Sequence, residues 1–208
     1  MIAVTTNLNS QAEQVLAELR ADLLRGRPHH LRPDEGEEAF RQHKLLATAV
    51  HRAAKLDQRK DETETNAWVR YIVQHYPVGR NNEADARLLF ADWRTSLLKR
   101  DTPGPSTAIT HGQSALHWQR DESDRLCINL EDAWSDYAAS VESFISYLRA
   151  SPRWKVVLGR WQKQQWVVEP FVPVVGAITG ATVMGTAKSA SVAESPTTVA
   201  RPNRTVRL

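Results

Sequence analysis

The stretch Glu131-Asp-Ala-Trp-Ser-Asp-Tyr-Ala-Ala-Ser-Val-Glu-Ser-Phe-Ile-Ser-Tyr-Leu-Arg149 decides the fold class. Its apolar residues Trp134, Tyr137, Val141, Phe144, Ile145 and Leu148 recur every three or four positions, so they share one broad face of a helix, with Asn129 as the candidate cap. The same period runs through most of the chain. Upstream, Ser10 and Glu13 form a capping box ahead of Val15, Leu16, Leu19 and Leu23, predicting a first helix that stops near Leu24. A second helix is expected over 37–56, with Phe40, Leu46, Ala47, Val50, Ala53 and Ala54 on one face. A shorter third places Trp68, Val69, Ile72 and Tyr76 together and ends at Pro77, which disfavours helical angles in the residue before it. Asn82 can cap a fourth, whose stripe is Leu89, Trp93 and Leu97. Downstream, Ser151-Pro152 opens a sixth with Trp154, Val157, Leu158 and Trp161, a strand over 154–158 being the competing reading.

Between the fourth and fifth helices the pattern changes. Asp101-Thr-Pro-Gly-Pro-Ser106 is loop by composition. Residues 114–119 and 125–130 carry apolar side chains at alternate positions and are joined by the polar run 120–124, which predicts a small β-hairpin over about 114–130. The expected fold is therefore mainly α: five or six amphipathic helices with an inserted hairpin and a disordered C-terminal tail.

At 208 residues, with 41% hydrophobic and 25% charged residues, the chain suits one core rather than two. We expect a single helical domain over 1–170, an apolar glycine-rich segment over 171–187 and a disordered basic tail over 188–208. The tail has no periodic apolar face with which to offset its ordering entropy. The formal charge of +3 sits in that tail, where Lys188, Arg201, Arg204 and Arg207 face only Glu194. The remainder is balanced, so total charge gives no argument for a polyanionic partner, although local patches remain open. Phe171–Ala187 carries no charge but is weakly apolar and at the lower limit of a spanning length, so membrane insertion there is the least favoured reading. Cys127 is the only cysteine, which excludes an internal disulfide and thiolate zinc sites of the four- or two-cysteine kind. No metal or cofactor is expected. The amino terminus lacks the basic start and apolar run of a secretory signal, so a cytoplasmic location is expected.

Two constellations suggest chemistry. Arg70-Tyr-Ile-Val-Gln-His75 resembles the Arg-to-His spacing of the HEPN ribonucleases. That resemblance implies phosphodiester cleavage, Arg70 stabilising phosphate charge while His75 moves a proton. With seven histidines in an arginine-rich chain the spacing arises about twice by chance, and Arg25 with His30 supplies a second instance. The bland alternative leaves Arg70 and His75 solvated on a helix. The second constellation is Thr110-His-Gly-Gln-Ser114 followed by His117-Trp118, where His111 or His117 would act as general base with Asp121 or Glu122 orienting it. The six-residue separation of these histidines does not match the four-residue helical zinc spacing. A turn and a strand histidine making one hydrogen bond is its bland counterpart.

Most of the seven tryptophans fall on helix stripes and belong to the core, whereas Trp118 and Trp166 do not and are the candidates for a ligand wall or stacking platform. The loop carrying Arg25, Arg27 and Arg32 would meet phosphate or an acidic surface if it binds anything. The charged run Asp57–Glu64 reads as solvated surface. Together these features favour a binding or adaptor protein that docks on a larger assembly, with a protein as partner. A nucleic-acid-processing enzyme using Arg70 and His75, or His111 and His117, is the alternative.

Overall fold

A computed structural model of the chain describes residues 2–26 and 36–165. The tail, the apolar segment 171–187, Trp166, Arg27 and Arg32 lie outside them. The chain is mainly helical, as its period dictates. Six helices, α1 (Ile2–Leu23), α2 (Gly36–Leu56), α3 (Glu64–His75), α4 (83–100), α5 (Leu130–Ala150) and α6 (Trp154–Gln165), surround one apolar cluster. Two short strands, β1 (Thr107–Thr110) and β2 (Leu126–Asn129), lie between α4 and α5.

α2 is the hub, packing on α3, α4, α5 and α6. Its buried face, Ala39, Leu46, Ala47, Val50, Ala53, Ala54 and Leu56, is rich in alanine, so large neighbours can press close. Those neighbours include Trp68, Tyr71, Tyr137 and Phe144, all essentially without solvent contact. The polar tips of two of these rings, Trp68 and Tyr137, are tied to backbone. Trp68 donates from Nε1 to the Ala86 carbonyl (3.0 Å), joining α3 to α4, and the Tyr137 hydroxyl reaches the carbonyls of Leu23 (3.1 Å) and Ala49 (3.2 Å). These bonds let aromatic area be buried without leaving the ring's polar atom unpaired.

Several local expectations hold and others need correction. Asn82 caps α4 by accepting from the Asp85 amide (2.8 Å), and α3 ends at His75 with Tyr76 extended before Pro77. Ser151 accepts from the Arg153 amide (3.2 Å) just ahead of α6, which is helical and not a strand. α1, however, begins at Ile2, because no glycine or proline separates Ile2 from Ser10; the Ser10–Glu13 pair is interior to the helix. Asn129 makes no capping bond to α5. Its side chain accepts from the Gln113 amide (3.0 Å) and donates to Asp132 (2.7 Å).

The small sheet also differs in detail from a hairpin. β1 pairs with β2 in parallel, Thr107 opposite Leu126 through Thr110 opposite Asn129, and residues 114–116 form a 3-10 turn. A connection of 111–125 is long enough for the crossover that parallel pairing demands. The antiparallel contact survives as a short ladder on the other edge of β2: Trp118 donates to Cys127, Cys127 to Gln119 and Asp121 to Arg125. β2 is therefore flanked on both sides, and all four of its residues are buried.

α4 contains one wide turn. Over Leu89–Arg94 the backbone is π-helical, with the Thr95 amide donating to the Phe90 carbonyl five residues back. The wide turn offsets the drift of a four-residue spacing on a 3.6-residue helix and keeps Leu89, Trp93 and Leu97 buried together. Asp92, on that turn, holds the following loop. Its carbonyl accepts from the Gly104 amide (2.9 Å) and its carboxylate from the Ser106 amide (2.8 Å). A Cβ on Gly104 would come within 2.6 Å of the Asp92 Cβ, so this position requires glycine.

Candidate functional site

The residues that the sequence puts forward for catalysis occupy two buried polar junctions. The first surrounds Asp57, directly after α2. Although it belongs to the charged run expected at the surface, Asp57 is only 1% exposed. Its carboxylate takes Arg70 Nη1 (2.5 Å) and Arg153 Nε (2.7 Å), and its carbonyl takes the Nη2 atoms of the same two arginines (2.8 and 2.9 Å). Arg160 donates from Nη1 to the carbonyls of Leu56 (3.0 Å) and Gln58. Three guanidinium groups thus gather on the carbonyls of Leu56, Asp57 and Gln58, at the negative end of the α2 dipole. Glu62 completes the junction with two bonds to Arg70, which hold its carboxyl below the usual carboxylate range.

Arg70 is consequently committed to Asp57 and Glu62. His75 is also not the solvated group of the bland reading, being 6% exposed and in contact with the rings of Tyr71, Phe144 and Tyr147. Its Nδ1 lies 3.3 Å from the Ser143 hydroxyl, and burial pushes its pKa down to about 4. Both members of the HEPN-like spacing are thus engaged in packing, and a phosphodiester has no open guanidinium–imidazole pair to enter here.

The second junction centres on His117, which is 4% exposed. The Asn129 amide donates to its Nδ1 (3.0 Å), so the ring proton is on Nε2 and donates to Asp136 Oδ2 (3.0 Å). Asp136 in turn accepts from Arg80 Nη1 (2.5 Å). The carboxylate behind His117 is thus Asp136 of α5; Asp121 is bonded to Arg125 (2.8 Å). With both nitrogens occupied and no solvent path, this histidine ties the 3-10 turn to α5 and offers no lone pair to a substrate. Nearby His43, which the sequence did not bring forward, is buried with Nε2 donating to the Thr110 carbonyl (3.2 Å), and desolvation lowers its pKa to about 4. His111 is half-buried on the turn beside Gly112, whose amide donates to Glu131 (3.1 Å). Trp118, proposed as a ligand wall, instead packs on the core next to Tyr76. Arg25 is exposed, 3.6 Å from Asp22. Among the described residues no cluster of three metal-ligating side chains occurs, and no helix is long and apolar enough to cross a membrane.

Two concavities open on α6 instead. One, of about 510 Å³, is a groove between α1 and α6 lined by Ala12, Val15, Trp154, Leu158 and Gly159, with Lys155 and glutamines at its rim. The other, of about 410 Å³, lies where the turn after α2 meets α6 and is lined by Lys55, Gln58, Arg59, Lys60, Arg160 and Gln164. Arg59, Lys60, Arg160, Lys155 and Lys163 form no ion pair with a carboxylate among the described residues. The sequence signal was available, since Arg149, Arg153, Lys155, Arg160 and Lys163 fall between Glu142 and Glu169 with no acidic residue among them. A neutral total concealed it.

No protein family, curated protein or solved structure matches this chain.

Proposed function

We propose that this chain is a binding or adaptor protein that docks on a larger assembly through the face formed by α1 and α6, together with the segment that follows Gln165. The observation that carries this reading is the open groove of about 510 Å³ between those helices, where Val15, Trp154 and Leu158 offer an apolar floor within a polar rim. Val156, 48% exposed, extends the apolar character of α6 at the surface. A partner helix or strand with two or three apolar anchors would fit such a groove. The alternative, a nucleic-acid-processing enzyme using Arg70 with His75 or His111 with His117, has less support because Arg70, His75 and His117 are engaged in the interior.

Gly159 provides the test, because a Cβ there meets nothing within 4 Å. Gly159→Trp should fill the groove and leave the core intact. Proteins retained by the full chain from an extract of its native host should be lost with this variant at unchanged melting temperature, and retained by His75→Ala and His111→Ala. An identical set of proteins on the wild-type chain and the filled groove would refute the reading.

A further inference from the structure

We infer that the basic concavity between the turn after α2 and the outer face of α6 is a binding site for the phosphodiester backbone of a nucleic acid. This inference does not rest on the α1–α6 groove and stands or falls without it. Four cations, Lys55, Arg59, Lys60 and Arg160, line the concavity together with Gln58 and Gln164, and no carboxylate does. The acids closest in sequence are otherwise engaged or form no pair with these cations: Glu62 is held by Arg70, and Glu64 sits 3.2 Å from Lys55, the one cation of the four with a carboxylate partner among the described residues. Asp61 forms no ion pair with them among the described residues.

Arg160 gives the site a fixed element. Its Nη1 is anchored on the carbonyls of Leu56 and Gln58, which orients the guanidinium while Nε and Nη2 make no protein hydrogen bond among the described residues. A guanidinium held in this way loses little rotamer freedom on meeting a phosphate oxygen, and its planar fork suits that geometry. Arg59 and Lys60 are exposed and add long-range attraction.

The positive charge also continues along α6. Lys163, exposed and three residues beyond Arg160, forms a row with it on one side of α6, the two about 4.5 Å apart along the axis at about 1.5 Å rise per residue. One phosphate would leave that row unused, whereas a strand carrying a charge every few ångströms would engage the concavity and the row together. Contacts of this kind are indifferent to base sequence, because arginine, lysine and amide donors address only phosphate oxygens.

The experiment is fluorescence anisotropy on the full-length chain with labelled single-stranded RNA, single-stranded DNA and duplex DNA of about 20 nucleotides, at low and near-physiological salt, set against poly-glutamate of equal length and phosphatidylserine vesicles. The double charge reversal Arg59→Glu/Lys60→Glu is compared with Lys99→Glu/Arg100→Glu, which changes total charge equally at the end of α4. The concavity variant should lose affinity by about tenfold or more and flatten the salt dependence by roughly two in slope, with the α4 variant within about twofold of wild type. Arg59→Glu/Lys60→Glu should still retain the proteins that the α1–α6 groove holds, since neither residue lines that groove, so a failed groove and a failed concavity are distinguishable. Equal loss in both charge-reversal variants would overturn the site, as would no nucleic-acid binding at low salt. Poly-glutamate or vesicles binding as tightly as nucleic acid would overturn the phosphodiester assignment.

Discussion

Two sides of one short turn treat positive charge in opposite ways. On the inner side, at the end of α2, Arg70 and Arg153 converge on a buried Asp57, and each guanidinium also bonds to its carbonyl. On the outer side, Arg59, Lys60 and the free edge of Arg160 face a concavity without a carboxylate. Arg160 belongs to both. Residue type alone therefore says little about role; an arginine with every donor engaged is a fastener, and one with donors unused on the surface can receive a ligand. Charge removed from the inner side should cost stability, and charge removed from the outer side should cost only binding.

The largest effect expected from this contrast is that of Asp57→Ala. It leaves two arginines facing each other with one shared carboxylate gone, and breaking a buried pair in this way costs about 3–5 kcal/mol. Urea unfolding followed by circular dichroism should show a lower midpoint with little change in slope. A loss below about 1 kcal/mol would mean that the carbonyl of residue 57, with Glu62 for Arg70, suffices to hold both arginines.

A pH-dependent loss comes next. His43 and His75 each titrate near 6.5 in an unfolded chain and near 4 in the fold, because burial penalises the charged ring. Between these values the unfolded chain holds more protons. Stability should therefore be full above about pH 6.5, decline as the pH falls toward about 4 and gain no further loss from these groups below that, with at most about 3 kcal/mol from His43. His43→Phe should flatten the decline in a series of unfolding curves, whereas a variant of exposed Lys60 should leave its shape unchanged.

Smaller changes are expected in the α1–α6 groove and at the outer concavity. Gly159→Ala removes a glycine from a helix where its Cβ has open space, which should raise stability by about 0.5–1 kcal/mol. Arg59→Glu/Lys60→Glu should change the unfolding free energy by no more than about 0.5 kcal/mol, since neither side chain is part of a buried network. A larger shift would place these residues with the fasteners and remove the contrast.

Much of the helical frame is legible in the sequence because it depends on local period: Leu89, Trp93 and Leu97, or Trp134 through Leu148, announce their buried face without reference to any other segment. β1 is not legible, since Thr-Ala-Ile-Thr is short and its partner lies beyond an intervening turn. Burial of Asp57 is still less so. A charged residue in a charged run becomes interior only because Arg153, far along the chain, folds back on it. The histidines mislead for the same reason: a sequence shows that an imidazole is present but not that Asn129 and Asp136 already hold both of its nitrogens. The outer basic face was readable as a local absence of acid between Glu142 and Glu169, and summing charge over the whole chain hid it.

The wide turn of α4 sets how that helix tolerates changes in length. With one extra residue in the turn, Leu89, Trp93 and Leu97 meet the core at intervals of four. Deleting exposed Ala91 would set them at intervals of three and four, which an uninterrupted α-helix also aligns on a single face. Shortening at this point should therefore preserve which side chains face inward. Lengthening by one residue has no such compensation and would turn Leu97 away from its neighbours, so α4 can lose a residue here more readily than it can gain one.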